Sequence, residues 1–224
     1  RCDPTYKSCA HLIHDQFRPT WLEQLKYRDL VQSADKIDSA GYASPSEYFD
    51  GLTPEILLNQ AWHQVTDTQK PVVIRSLAKH GLVTTSRAYL KEAQIVRERN
   101  SDALYQYADR STMIGDVSCV DLVGTNLPFL RYASYYLRTD VRHTLTLHTL
   151  NNHEIALSLG RNPWLAFGPD AQDLGAMAKR HGGGGHAYAA SCTFQVNGSD
   201  YGSARQVQLQ LARELASPAR EWVA

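Results

Sequence analysis

The sequence predicts an α/β protein whose first half is helical and whose second half contains a mixed β-sheet. Apolar residues recur at helical spacing through most of residues 8–109. Beyond residue 110 the spacing changes to the alternation of β-strands, most clearly over residues 141–160. A run of four glycines, Gly182–Gly185, then separates a short predicted helix from a further predicted strand. From this change of period we expect residues 113–216 to fold as one compact unit around a mixed sheet.

The composition limits the kinds of partner. Lys plus Arg and Asp plus Glu number 23 each among 224 residues, so the net charge is zero. This balance argues against bulk attraction to long duplex DNA or an anionic membrane, although a local positive patch can still bind a small anion. No apolar stretch approaches the ~20 residues of a membrane span, and no signal-peptide pattern is present. The cysteines lack CxxC spacing, which is typical of thiols in a reducing compartment. We therefore expect a cytoplasmic protein with no membrane partner.

The helical half is predicted to contain one irregular connection. Residues 8–17 form a helix, and a second helix runs from Pro19 towards Ala34. Residues 41–54 are rich in Ser, Pro, Gly and Tyr and are predicted to be irregular. Residues 55–109 are mostly helical, and the charged run over residues 86–110 is predicted to be a helical spacer with a solvated face.

Two aspartates, Asp35 and Asp38, lie near the end of the second helix. Three residues apart, they share one helical face, or flank a turn if the helix ends there. Carboxylate oxygens are the ligands that magnesium and manganese prefer. The alternative is a solvated helix end in which Lys36 is the neighbouring charge.

The second half is predicted to alternate strands and helices. Its clearest feature is a hairpin over residues 141–160, in which Leu145 and Leu147 share a face opposite to Thr144 and Thr146. The other expected elements are a strand over 113–123 closed by Gly124, a helix over 129–137, a helix over 170–181 with Asp173 near its start, a strand over 188–196 and a helix over 203–216.

The glycine run ends at His186, whose ring can donate a hydrogen bond or carry charge near neutral pH. Glycines permit positive φ angles and let a ligand approach backbone N–H groups. A backbone concavity beside such a donor suits a phosphate or a nucleotide. The alternative is a helix C-cap with surplus flexible glycine. If residues 173–181 are helical, the glycines follow the helix C-terminus, so the helix dipole gives an anion no help.

The segment 173–190 closely resembles the glycine-rich signature of the DHH phosphoesterase family, GGGGHxxAAG, which lies in the DHH-associated C-terminal domain. Residues 157–161 look like the preceding strand, which in family members ends in a substrate-contacting arginine. Residues 34–40 are similar to the family's last metal motif, in which an aspartate follows a small residue.

The resemblance implies three parts. Residues 1–54 correspond to the C-terminal remnant of a DHH catalytic domain, residues 55–110 to a helical linker, and residues 111–224 to the DHH-associated substrate-binding domain. In fold terms, this is the helical tail of an α/β catalytic domain joined by a helical linker to a smaller domain with a mixed sheet.

The resemblance also implies a chemistry. Family members hydrolyse phosphoester or phosphoanhydride bonds with two manganese ions, which generate a hydroxide and clamp the oxygens around phosphorus. It assigns a metal ligand to Asp35, leaves the role of Asp38 open and assigns no catalytic side chain. Arg161 and His186 would contact the substrate, together with the amides of Gly183, Gly184 and Gly185. The expected partner is a small phosphorylated substrate or a short single-stranded nucleic acid, and a homodimer is possible.

The sequence departs from the family pattern in two ways. The Asp-x-Asp-Gly loop and the Asp-His-His triplet are absent, and His11 and His14 do not reproduce them. The glycine that usually follows the two alanines is Ser191. We therefore expect the chain to begin just after the triplet and to hydrolyse phosphoesters poorly alone. Two alternatives remain: a non-catalytic nucleotide-binding module, and a structural interaction domain, which leaves the glycines unexplained.

Overall fold

The structure, a computed structural model, describes residues 6–17, 21–151, 153–195 and 200–216. The chain divides into two compact units, Arg1–Ser101 and Asp102–Ala224. The predicted helical linker 55–110 therefore lies mostly in the first unit, together with the predicted catalytic remnant 1–54. Among the described helices, none has the length and apolar character that a membrane crossing requires.

The first unit is built from helices, as the periodicity predicts. Their bounds are α1 Cys9–Phe17, α2 Trp21–Asp38, α3 Pro45–Asp50, α4 Pro54–Trp62, α5 Lys70–Ala88 and α6 Leu90–Asp109, the last of which continues into the second unit. Because α2 extends to Asp38, both aspartates lie on a helix. A kink interrupts α5 at Gly81, whose φ of +78° is a conformation that glycine adopts without steric cost.

Helix α3 corrects the prediction that residues 41–54 are irregular. Ser44 caps this helix by accepting a hydrogen bond from the Glu47 N–H at 3.1 Å, and Pro45 fills the first turn. The Lys36 ammonium lies 2.5 Å from Glu47 and 2.9 Å from Glu55, and so ties α2 to α3 and α4. The signal was present, since Ser followed three residues later by Glu is a capping box and Pro favours the first helical position.

The second unit contains a mixed sheet, which confirms the predicted fold class. Its strands are β1 Ser111–Ile114, β2 Val117–Asp121, β3 His143–Asn151, β4 Glu154–Arg161, β5 Gly184–His186 and β6 Ala189–Gln195. Their order is β1-β2-β3-β4-β6-β5, with β2 and β3 parallel and all other neighbours antiparallel. Helices α7 Ala133–Leu137, α8 Leu174–Lys179 and α9 Asp200–Leu215 complete the unit.

The predicted hairpin over 141–160 is confirmed as β3 and β4, although Asn152, between the two strands, lies outside the described residues. The predicted strand over 113–123 is wrong, because β1 and β2 form a hairpin. Gly115, with a φ of +58°, makes the turn between them. The predicted helix over 129–137 is confirmed only from Ala133 onward.

Two helices cover one face of the sheet, which we call the α8 face. Apolar side chains of the strands, such as Leu145 and Leu157, pack there against Leu174 of α8 and Leu211 of α9. Gln208 of α9 is fully buried.

The opposite face, which we call the α7 face, carries hydroxyl groups. Ser118 donates a hydrogen bond to Ser134 of α7 at 3.0 Å. Tyr135 lies 3.4 Å from the Thr144 hydroxyl, and burial raises the pKa of Tyr135 above its ordinary range. The two faces of the sheet therefore differ in chemical character.

Candidate functional site

The first two glycines of the run form a helix cap. Gly182 has a φ of +75°, and its N–H donates to the Lys179 carbonyl at 3.3 Å. The Gly183 N–H donates to the Ala178 carbonyl at 3.0 Å. Together these bonds make the Schellman motif that commonly ends a helix. The cap alternative therefore holds for this half of the run. The Gly183 amide, predicted to face a substrate, is already bound within the chain.

The rest of the run is not a loop but the edge strand β5. Close approach to β6 explains two glycines: a Cβ on Gly183 would lie 2.1 Å from the Ser191 carbonyl oxygen, and one on Gly185 would lie 2.4 Å from that of Ala189. Gly184 is exposed, and a Cβ there would meet nothing within 4 Å. All three residues of β5, Gly184, Gly185 and His186, are exposed.

Arg161, the last residue of β4, is half-buried beside this strand. Its N–H donates to the Tyr188 carbonyl at 3.0 Å, and its Nη2 donates to the Gln172 carbonyl at 2.5 Å. In the described part of the chain, no carboxylate lies within ion-pair distance of its guanidinium. A partly desolvated cation without an acidic partner is suited to binding an anion.

The register places Arg161 and His186 at the same end of the sheet but in adjacent cross-strand rows. His186 and Gly160 both pair with Ala189 of β6 and therefore lie in one row across the strands. Arg161 pairs with His143, which places it in the next row. The row of Gly160 faces α7, since a Cβ there would lie 3.2 Å from the Tyr135 hydroxyl. Successive residues of a strand point to opposite faces, so Arg161 belongs to the α8 face. A ligand that touches both side chains must span the end of the sheet.

Tyr188 lies in the turn that joins β5 to β6, two residues after His186. Its carbonyl accepts the backbone hydrogen bond from Arg161. The sequence predicts it as a strand residue on the same face as Ala190, which is buried. Instead its side chain is 65% exposed. An exposed aromatic ring, on a residue whose backbone carbonyl is bonded to Arg161, offers a surface on which a nucleobase can stack.

Two further residues adjoin Arg161 that were not predicted as part of the site. His143 is 7% exposed, and its Nδ1 has no hydrogen-bond partner among the described residues. Burial lowers the pKa of His143 to about 4; Asp116 opposes this shift, and Arg161 and Arg142 add to it. Phe167 lies in the loop after β4, with its ring centroid 4.7 Å from the Arg161 guanidinium. The hairpin alternation placed His143 beside the arginine strand, but no sequence signal marked Phe167.

The predicted metal ligand Asp35 lies in the first unit, where it joins α1 to α2. Ser8 donates to one carboxylate oxygen of Asp35 at 2.6 Å, and His11 Nδ1 lies 2.8 Å from the other. Ser8 also caps α1 by accepting from the His11 N–H at 3.1 Å. Asp38, by contrast, is exposed at the end of α2.

The donor groups around Asp35 do not by themselves form a metal centre. Asp15 lies 3.8 Å from His11 Nε2. Across the residues that the structure describes, no three His, Cys, Asp or Glu side chains are grouped so that they could hold a metal ion. A site for two manganese ions needs several such ligands. The described donors therefore do not fit the predicted two-metal site, and Asp35 as a ligand stays a prediction.

The chain is similar to solved structures to different degrees. PggH from Vibrio cholerae, a pGpG-specific phosphodiesterase, is 17% identical with a TM-score of 0.70, over 95% of this chain and 74% of that one. An exopolyphosphatase-related protein from Bacteroides fragilis is 12% identical with a TM-score of 0.37, over 83% of this chain and 55% of that one. A TM-score below 0.5 does not show a shared fold.

The likeness to PggH shows that the two chains share a fold. No protein-family model matches the sequence, and no curated protein sequence matches it.

Proposed function

We propose that this chain is the substrate-binding part of a phosphoesterase that hydrolyses a small nucleotide or a short single-stranded oligonucleotide. The observation that carries the proposal is the half-buried Arg161, which has no carboxylate partner in the described part of the chain and lies at a sheet end beside the exposed His186 and Tyr188. The fold that the chain shares with a pGpG-specific phosphodiesterase supports it.

Each of these side chains has a distinct role in the proposal. The planar guanidinium of Arg161 binds a phosphate group through parallel N–H donors, which a lysine cannot supply in that geometry. Tyr188 stacks on a base, and His186 donates a hydrogen bond from the opposite face of the sheet. Because the Arg161 and His186 rows face opposite ways, the proposal favours a ligand with more than one polar group, such as a dinucleotide, over inorganic phosphate.

Manganese remains the proposed cofactor, and Asp35 is the ligand that this chain is proposed to supply. Asp35 would help to hold the metal, whose chemistry would be to activate water as the nucleophile. The described donors do not complete such a site, so substrate binding is the only step that follows from the geometry.

A specific observation favours a second candidate, a non-catalytic nucleotide-binding module. Both carboxylate oxygens of Asp35 are engaged by Ser8 and His11. In that arrangement, Asp35 holds helix α1 against α2 and does not coordinate a metal ion.

The test is Mn²⁺-dependent hydrolysis of a 5′-phosphorylated dinucleotide by the natural protein, compared with its Asp35→Asn and Arg161→Ala variants. We expect Asp35→Asn to lower kcat and Arg161→Ala to raise KM; the 224 residues alone should hydrolyse the dinucleotide slowly. If the natural protein binds the dinucleotide but does not cleave it with Mn²⁺ present, the enzyme proposal fails and the binding module replaces it.

A further inference from the structure

Phe167 lies against two guanidinium groups at once. Its ring centroid is 4.7 Å from the guanidinium carbon of Arg161 and 4.3 Å from that of Arg142. Both distances lie well within the range of a cation–π contact. Two cations therefore share one phenyl ring at the sheet end where Arg161 is proposed to bind the ligand.

The two arginines differ in how firmly they are held. Arg142 Nε lies 3.7 Å from a carboxylate oxygen of Asp116, and its Nη2 donates to the Ala166 carbonyl at 3.2 Å. Among the described residues, the guanidinium of Arg161 contacts only the Gln172 carbonyl and the ring. Arg142 thus anchors the ring, and the ring in turn restrains Arg161.

The loop that carries Phe167 is fixed at both ends. Asn162, at its start, is 3% exposed; its Nδ2 donates to the Val141 carbonyl at 2.7 Å, and its Oδ1 accepts from the Trp164 N–H at 2.9 Å. At the other end, Gln172 Nε2 donates to the Glu214 carbonyl of α9 at 2.8 Å. Phe167 therefore lies in a loop that hydrogen bonds hold at both ends.

The imidazole of His143 completes the surroundings of the ring. It meets Phe167 edge-on at 5.3 Å between centroids. It also pairs with Arg161 across β3 and β4. A charged imidazole here would repel both guanidinium groups, whereas the neutral ring packs beside them.

We propose that Phe167 is a positioning residue that holds the guanidinium of Arg161 in place for an anionic ligand. The inference rests on the proposed function, because it takes Arg161 as the group that touches the phosphate. A long arginine side chain loses considerable rotamer freedom when it binds. Together with the Gln172 carbonyl, the ring restrains the side chain before the ligand arrives, so affinity depends on Phe167 although it does not touch the phosphate itself.

The first test is a double-mutant cycle on affinity for a 5′-phosphorylated dinucleotide, measured by calorimetry on the 224-residue chain. Phe167→Leu keeps the apolar volume but removes the aromatic face, and we expect it to weaken binding about threefold to tenfold, in line with a cation–π contact. Phe167→Tyr keeps the face and should bind like the unchanged protein. In an Arg161→Ala background, Phe167→Leu should have no further effect. An equal loss in both backgrounds would overturn the proposal.

The second test separates this inference from the proposed function, because it needs no ligand. Arg161 Nε is buried, so its N–H should exchange slowly with water, and nearby side-chain protons should be shifted upfield by the ring current. Phe167→Leu should abolish both NMR signatures, and Phe167→Tyr should keep them. If both persist in Phe167→Leu, the positioning role is wrong. If they are lost but Arg161→Ala leaves affinity unchanged, the positioning role stands and the proposed ligand contact fails.

Discussion

His143 and Arg161 are direct partners across β3 and β4, and the imidazole is buried beside a guanidinium that has no carboxylate partner in the described part of the chain. Burial, with a smaller contribution from Arg161, lowers the pKa of His143 and so keeps the imidazole neutral near pH 7. It therefore links the stability of the sheet to pH.

The unfolding free energy is predicted to fall as the pH drops from neutral towards 4. The folded-state pKa of His143, about 4, lies below its ordinary value of 6.5. Between these values the unfolded chain binds a proton that the folded chain does not, so stability is lost as the pH falls. The contribution of His143 between pH 7 and pH 5 is about 2 kcal/mol. Urea unfolding of the natural chain and of His143→Gln at both pH values measures it. An identical change with pH in the two proteins would contradict the assignment.

Gly175→Ala is predicted to destabilise the second unit. A Cβ on this residue of α8 would lie 2.7 Å from the Gly185 carbonyl oxygen of β5, where only backbone can give way. Such overpacking costs about 1–3 kcal/mol. Gly184→Ala is the matched control, because its Cβ would meet nothing within 4 Å. Urea unfolding of both variants decides the point, and equal stabilities would mean that α8 and β5 are not in close contact.

Gln208→Leu is predicted to loosen α9 from the sheet. The Gln208 amide is fully buried and donates to the Val120 carbonyl at 2.9 Å and to the Leu145 carbonyl at 2.7 Å. Leucine fills similar space but leaves these carbonyls without the amide donor, at a cost of about 1–3 kcal/mol. Gln210→Leu, at an exposed position on the same helix, should lower the free energy of unfolding by much less. The reverse order of the two effects would refute this role for Gln208.

Asp35→Ala is predicted to release α1 from α2. The variant removes the acceptor of the Ser8 and His11 contacts. Hydrogen bonds to a charged group are worth about 1.5–3 kcal/mol, so amides of α1 should exchange with deuterium tenfold faster or more. Asp38→Ala, at the exposed end of α2, serves as the control. Unchanged exchange in α1 with metal-free protein would show that Asp35 does not dock this helix.

Much of the second unit could be predicted because its side chains alternate regularly. The hairpin of β3 and β4 is predicted by the alternation of apolar residues such as Leu145 with polar residues such as Thr144. The cap of α8 follows from Asp173, whose side chain accepts from the Ala176 N–H. Strand β5 could not be predicted, since glycines have no side-chain period and Gly184 gives no strand signal.

The candidate site was predicted only in part. Arg161 and His186 were predicted to contact one substrate, which stays a prediction; the pairing of β6 with both β4 and β5 places them at one end of the sheet. That their side chains lie on opposite faces of the sheet depends on the strand register, which cannot be read from the sequence alone. Phe167 reaches Arg161 only through tertiary folding of the loop after β4.

The substrate-binding role of Arg161 and His186 is tested most directly by the affinity of the chain for a dinucleotide with and without a 5′-phosphate, measured for the natural protein and for Arg161→Ala and His186→Ala. Arg138→Ala is the control, because Arg138 is exposed and already paired with Asp140. Loss of a hydrogen bond to a charged phosphate costs about 1.5–3 kcal/mol. We therefore predict that Arg161→Ala and His186→Ala weaken binding of the phosphorylated dinucleotide at least tenfold with unchanged Tm. Unchanged affinity with a lowered Tm would contradict the account.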